Sequence, residues 1–147
     1  MDLFYSIWTM IFASFFIQYI VMSLIMTNTA SNITFSVGKF YISVIMAILM
    51  GLLEVAMYDY HMSSISIFYY LFLVLILAIF VYLYRTQTYI YDNDYLNEMI
   101  EHHSMALLTS EEILQKTSSE RVKRLAENII STQQAEIEYM SRLLDTI

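Results

Sequence analysis

Residues 3–26 read LFYSIWTMIFASFFIQYIVMSLIM, a run with no charged side chain anywhere in it. Coiled as an α-helix it would be about 36 Å long, enough to cross a bilayer's hydrocarbon core with some tilt. Two further apolar runs follow, Phe40–Met57, broken only by Glu54, and Ile65–Tyr84, which carries no charge. All three are continuous and do not alternate, so they read as helices; β-spans would alternate apolar and polar residues. The pattern predicts membrane spans over 3–26, 40–60 and 65–84. Aromatic residues sit near the ends of these runs (Phe4, Tyr5, Trp8, Tyr41, Tyr58, Tyr60, Tyr82 and Tyr84), as in interfacial belts. The first run does not fit a cleaved signal peptide, because Asp2 stands where a basic segment would be and the apolar stretch is too long.

Outward from these runs the composition changes abruptly. Residues 1–84 carry only Asp2, Lys39, Glu54 and Asp59, and every other Asp, Glu, Lys and Arg lies at or beyond Arg85. The sequence therefore divides into a three-span region, 1–84, and a polar region, 85–147. Cysteine is absent, which removes disulfides, thiolate metal sites and thiol nucleophiles. A net charge of −7 argues against a nucleic-acid surface. Two residues bear on orientation. Lys39 and Arg85 fall on the side of the C-terminus, which the positive-inside rule puts in the cytoplasm. The tripeptide Asn32-Ile33-Thr34 on that same side is a glycosylation acceptor pattern, usable only if that side is extracytoplasmic. Sidedness stays open between the two.

One face of the second run carries potential ligands. Met46, Met50, Glu54, Met57 and His61 project within about 80° of one another on a helix. Thioether and imidazole suit a soft ion such as Cu(I), and a carboxylate inside a membrane usually faces protein or water. The functional reading is a metal or proton path. The simpler reading is packing, since methionine fills irregular helix contacts well.

From Asp92 the pattern becomes amphipathic. Tyr95, Met99, His102, Ala106, Ser110 and Ile113 recur at helical spacing, and so do Val122, Ala126, Ile129, Gln133, Glu136, Met140 and Leu143. The expected architecture is all-α: three transmembrane helices, then an antiparallel two-helix hairpin of helices 92–115 and 119–145, with Ser118 as the N-cap of the second. A turn near Thr117 would bring His102 level with Gln133, Met99 with Glu136 and Tyr95 with Met140, and leave His103 on the flank. That seam would hold a polar layer needing partners or an ion. His102, His103, Met99, Met140 and Glu136, supported by Gln133, form a candidate copper or zinc set; the alternative is a hydrogen-bonded His–Gln–Glu layer that fixes register. A di-iron site is not expected. Glu98 and His102 are one residue too far apart for a Glu-x-x-His motif, and the second helix has no His.

These residues carry a resemblance. Met99-Ile100-Glu101-His102-His103-Ser104-Met105, then Leu125-Ala126-Glu127-Asn128-Ile129-Ile130, then Gln133 to Met140 resemble the domain-of-unknown-function 305 family over about residues 85–144. Arg85-Thr86-Gln87 and the Met-bearing second span look like its membrane-anchored branch. The resemblance implies ferritin-like helical packing (here a half-bundle) and, for some members, copper binding. It points to His102, His103 and Met140 as ligands, with Gln133 and Glu136 in support. The chain departs from the pattern at Thr109, where exported members often have methionine, and in lacking a His-rich N-terminal segment.

Two functions are expected from the sequence. One is a membrane-anchored binding protein with copper as the leading ion. The other is a non-catalytic structural or assembly component of a membrane, from a low-GC bacterium or the envelope of a large DNA virus. The composition, rich in Ile, Tyr, Asn, Ser and Met and without Pro or Cys, suggests an AT-rich genome and suits either source. No nucleophile with its base, phosphate loop or acid–base pair stands out, so no enzyme is expected. The expected partners are the lipid bilayer, further copies of the chain, and other membrane or coat proteins. A hairpin of about 50 residues buries little surface alone, so it should pair with a second copy or dock on the membrane helices.

Overall fold

The computed structural model describes residues 2–147, and among these no strand occurs. Asp2 starts the first helix as its N-cap, its carboxylate accepting from the Phe4 N–H at 3.2 Å. Helix α1 (Leu3–Phe16) runs through a π-turn (Ile17–Val21) into α2 (Met22–Met26). Helices α3 (Val37–Met62) and α4 (Ile67–Arg85) follow, then α5 (Asp92–Leu114) and α6 (Glu120–Leu144). Leu3–Met26, Val37–Met62 and Ile67–Arg85 are each long and apolar enough to cross a membrane, with mean hydropathies of 1.9, 2.2 and 2.5. Most side chains of the first and third of these face outward, including Phe12, Phe16, Phe68, Leu71 and Leu75.

The chain forms two compact units. The first joins the chain up to Val21 to Val37–Tyr89. Its core is Leu3, Ile7, Ile48, Val55 and Leu73. α1 approaches α3 closely at Gly51, where an added Cβ would lie 2.9 Å from Ile11 Cγ1. The turn between α3 and α4 is held by Asp59, whose carboxylate accepts from Ser64 Oγ at 3.0 Å and from the Ser66 N–H and Oγ at 2.7 Å each. Ser63 there adopts a positive φ of 50°.

The second unit joins Met22–Ser36 to Ile90–Ile147. Its core is Leu96, Ile100, Leu107, Ile137 and Met140, contributed by α5 and α6. The expected ends of both helices agree with the structure to within a residue. Ser119, not Ser118, is the N-cap of α6, its hydroxyl accepting from the Val122 N–H at 3.5 Å. The added component is Met22–Ser36, which covers part of α5. It answers the shortage of buried surface in two isolated helices from within the same chain.

Candidate functional site

α5 presents two working faces. The first packs on α6. Leu96, Ile100 and Leu107 are buried there, with Met99 partly buried beside them. His103 shares this seam. Its Nε2 lies 3.2 Å from Glu136 Oε2, and Gln133 Nε2 donates to the same oxygen at 3.3 Å. The polar layer expected from the sequence is therefore present, but with the other histidine. His102 is exposed, and its ring centroid is 6.1 Å from that of His103.

The correction is one of helical phase. The register through Tyr95, Met99, His102, Ala106, Ser110 and Ile113 was expected inside; Ser110 is buried, but Tyr95, His102 and Ile113 are exposed. Moving the seam by one residue, about 100°, buries Leu96, Ile100 and Leu107 in their place. That register places more branched hydrocarbon in the core, and buried apolar area decides between two otherwise similar phases. Comparing the two registers for leucine and isoleucine would have found it.

The donors of the sequence-derived metal set do not converge. Met140 is in the core and Met99 at its edge, Glu136 is half-exposed beside His103, and His102 points elsewhere. Among the described residues, no three His, Cys, Asp or Glu gather as a metal site. One atom stands out: His103 Nδ1 is buried without a hydrogen-bond partner among the described residues.

The second face of α5 was not foreseen. Asn97, Glu101 and Ser104 fall within about 60° of one another on the helix, and all three bind the segment after α2. Glu101 is buried. Its Oε1 accepts from Ser23 Oγ at 2.6 Å, and its Oε2 accepts from the Thr34 N–H at 2.9 Å. Thr34 Oγ1 donates to the Asn97 carbonyl at 2.6 Å. Ser104 is fully buried and its hydroxyl is saturated. It donates to Asn28 Oδ1 at 2.6 Å and accepts from the Asn28 N–H at 3.0 Å and from Asn32 Nδ2 at 3.4 Å. The sequence signal was the stretch TNTASNITFS, residues 27–36, rich in donors that an apolar environment would leave unsatisfied.

The Met-bearing stripe lies in the first unit. Met46 and Met57 are exposed, while Met50 and Glu54 are half-buried. Ser6 of α1 donates its hydroxyl to Glu54 Oε1. A cavity of about 400 Å³ is lined by Ser6, Glu54, Met57, Tyr58, His61 and Met62. The structure thus brings Glu54, Met57 and His61 to one cavity and leaves Met46 and Met50 outside it.

Residues 83–146 match the family model described as a domain of unknown function (DUF305), which bears out the resemblance read from the His pair and the α6 motif. Uncharacterized protein L153 of Acanthamoeba polyphaga mimivirus is 49% identical over 57 residues, 39% of this chain and 38% of the relative. The similarity thus spans well under half of that relative's length. No solved structure matches the chain.

Proposed function

We propose that this protein, whose residues 83–146 match the DUF305 model, is a three-span integral membrane protein. In this reading it holds an antiparallel, ferritin-like helical hairpin at one face of the bilayer, as a non-catalytic binding and assembly module. The observation that carries it is the bonding of Met22–Ser36 into the C-terminal unit. Its Asn28–Thr34 part follows the first apolar helix, with Ser23 in that helix's last turn, and α5 follows the third. Two crossings separate them, so three spans return them to the same side, in keeping with the hydrogen bonds of Glu101 and Ser104. If only one of α3 and α4 crossed, they would lie on opposite sides. The outward apolar side chains of α1 and α4 support the same reading, because so large an exposed apolar surface is a lipid or protein contact.

The chain has no cysteine, so single introduced cysteines test this directly. Ser31→Cys and Asp145→Cys should react with a membrane-impermeant maleimide from one side of sealed vesicles, and Ser63→Cys from the other. Labelling of Ser31→Cys and Asp145→Cys from opposite sides refutes the topology. The similarity to a mimivirus protein supports placing the assembly role in a virion membrane, with further copies or coat proteins as partners. Crosslinking in purified virions should then yield a fixed stoichiometry with those partners; random crosslinking rejects it.

A second reading, copper binding in the hairpin, is favoured by the buried, unpartnered His103 Nδ1. Glu136 with Gln133 would hold the ring through Nε2 and leave Nδ1 as the ligating atom. Copper titration should then lose its tight phase in His103→Ala. No binding tighter than micromolar in the parent protein ends this reading.

A further inference from the structure

The cavity between the start of α1 and the end of α3 has a donor set unlike the rest of the molecule. Glu54 is the one charged residue between Phe40 and Tyr58 of α3, and its carboxylate accepts a hydrogen bond from Ser6. A carboxylate in such a position is costly unless a proton, a cation or further donors offset it. No lysine or arginine supplies that offset locally. Lys39, the one basic residue before Arg85, lies fifteen positions earlier on the same helix, about 22 Å away. Among the described residues, the other charged carboxylates at this end of the unit are Asp2, which caps α1, and Asp59, which caps the α3–α4 turn. The local field therefore favours a cation.

The remaining lining residues indicate which cation. His61 Nδ1 lies 2.8 Å from the Met57 carbonyl oxygen. A carbonyl only accepts, so Nδ1 carries the proton and Nε2 keeps its lone pair in the neutral ring. That backbone contact is a common way of orienting a ligating imidazole. Met57 both orients His61 and places a thioether on the same cavity, and Met62 adds a second. A hard cation would need a cage of six or more oxygens, but the side-chain oxygens of the lining residues are those of Glu54, Ser6 and Tyr58 alone. Imidazole with thioethers is the donor set of soft ions.

We propose that the cavity formed by Ser6, Glu54, Met57, His61 and Met62 binds one soft monovalent cation, with copper(I) the biological candidate. Met57, His61 and Met62 supply the ligands, and Glu54 supplies the counter-charge. The site belongs to the first unit and is independent of the DUF305 hairpin and of its copper reading.

Silver(I) tests this without redox side reactions. The purified full-length chain in detergent should bind about one silver ion with sub-micromolar affinity in a competition titration. Affinity should fall at least tenfold in Met57→Leu, a near-isosteric change at a half-exposed position, and at least tenfold in His61→Gln. It should be unchanged when His102 and His103 are both changed to Ala. Monodisperse elution and unaltered helical circular dichroism identify which variants remain folded. The proposal is overturned if silver does not bind, if Met57→Leu and His61→Gln both retain full affinity, or if affinity is lost only with His102 and His103. Retention of an ethanolamine lipid that depends on Glu54, with no silver binding, would overturn it in favour of a headgroup site.

Discussion

Glu101→Ala separates a clamp that holds the segment after α2 from a set of incidental contacts. The buried carboxylate accepts from Ser23 Oγ at 2.6 Å and from the Thr34 N–H at 2.9 Å. Removing it takes the carboxylate acceptor away from both donors, at a site where Ser23 is itself buried. An orphaned buried donor costs about 1–3 kcal/mol. Relief from burying a charge returns part of that, so a net loss of about 2 kcal/mol is expected. About 1.4 kcal/mol corresponds to a factor of ten, so local opening of residues 27–36 should become roughly thirty-fold more frequent. Hydrogen exchange reads this directly, because the Thr34 amide is protected by the bond being removed. Its exchange in detergent should accelerate by about that factor, with the amides of Thr27 to Asn32 following. Backbone amides near Leu107 in the hairpin core should change far less. Glu101→Gln keeps one acceptor oxygen and should fall between parent and Ala. A Thr34 exchange rate within about threefold of the parent in Glu101→Ala would refute the assignment of Glu101 as the clamp.

Other expectations follow from single contacts. Gly51→Ala sets a methyl group against Ile11 and should lower the thermal midpoint in detergent by an amount worth about 1 kcal/mol, and Ile11→Ala in the same chain should restore part of it. Leu107→Ala, at a fully buried position in the α5–α6 core, should cost about 2–5 kcal/mol in hairpin stability, read as lost helical circular dichroism on heating. His102→Gln should change stability by no more than about 0.5 kcal/mol, as an exposed substitution, whereas His103→Leu removes the unpartnered buried Nδ1 together with an Nε2 contact to the half-exposed Glu136 that is worth little, and should be neutral or stabilising. Equal destabilisation by the two histidine changes would place both on the seam and reject the phase described for α5.

The apolar runs were legible because length and hydropathy are local properties. Leu3–Met26 was read to the residue, and α3 and α4 to within three. α5 and α6 were legible in extent for the same reason, but the phase of α5 was not. Its two candidate faces differ by one residue, and the choice depends on which buries more hydrocarbon against α6. Glu101 was illegible for a different reason. A glutamate on an amphipathic helix looks solvated, and its donors, Ser23 and Thr34, lie more than sixty residues away in the sequence. Ser6 was missed in the same way, since its partner Glu54 is on another helix. Polar residues that interrupt an apolar pattern need partners, but the pattern alone does not say which.

In the proposed three-span reading, the clamp also bears on which side of the membrane the hairpin occupies. Lys39 and Arg85 point to the cytoplasm, while Asn32-Ile33-Thr34 offers an acceptor for glycosylation on the other side. In the folded unit both polar side chains of that tripeptide are in use. Asn32 Nδ2 donates to Asn28 Oδ1 at 3.1 Å and to Ser104 Oγ at 3.4 Å, and Thr34 Oγ1 donates to the Asn97 carbonyl at 2.6 Å. A glycan on Nδ2 would replace one of its two N–H groups and put a bulky group on a half-buried residue beside the fully buried Ser104. Folding of the clamp and modification of Asn32 therefore exclude each other. The chain expressed in eukaryotic cells should migrate identically with and without glycosidase treatment, and Asn32→Gln should leave that mobility unchanged. A glycosidase-sensitive form that keeps slow Thr34 exchange would refute the role given to Asn32 and put this side of the chain outside the cytoplasm.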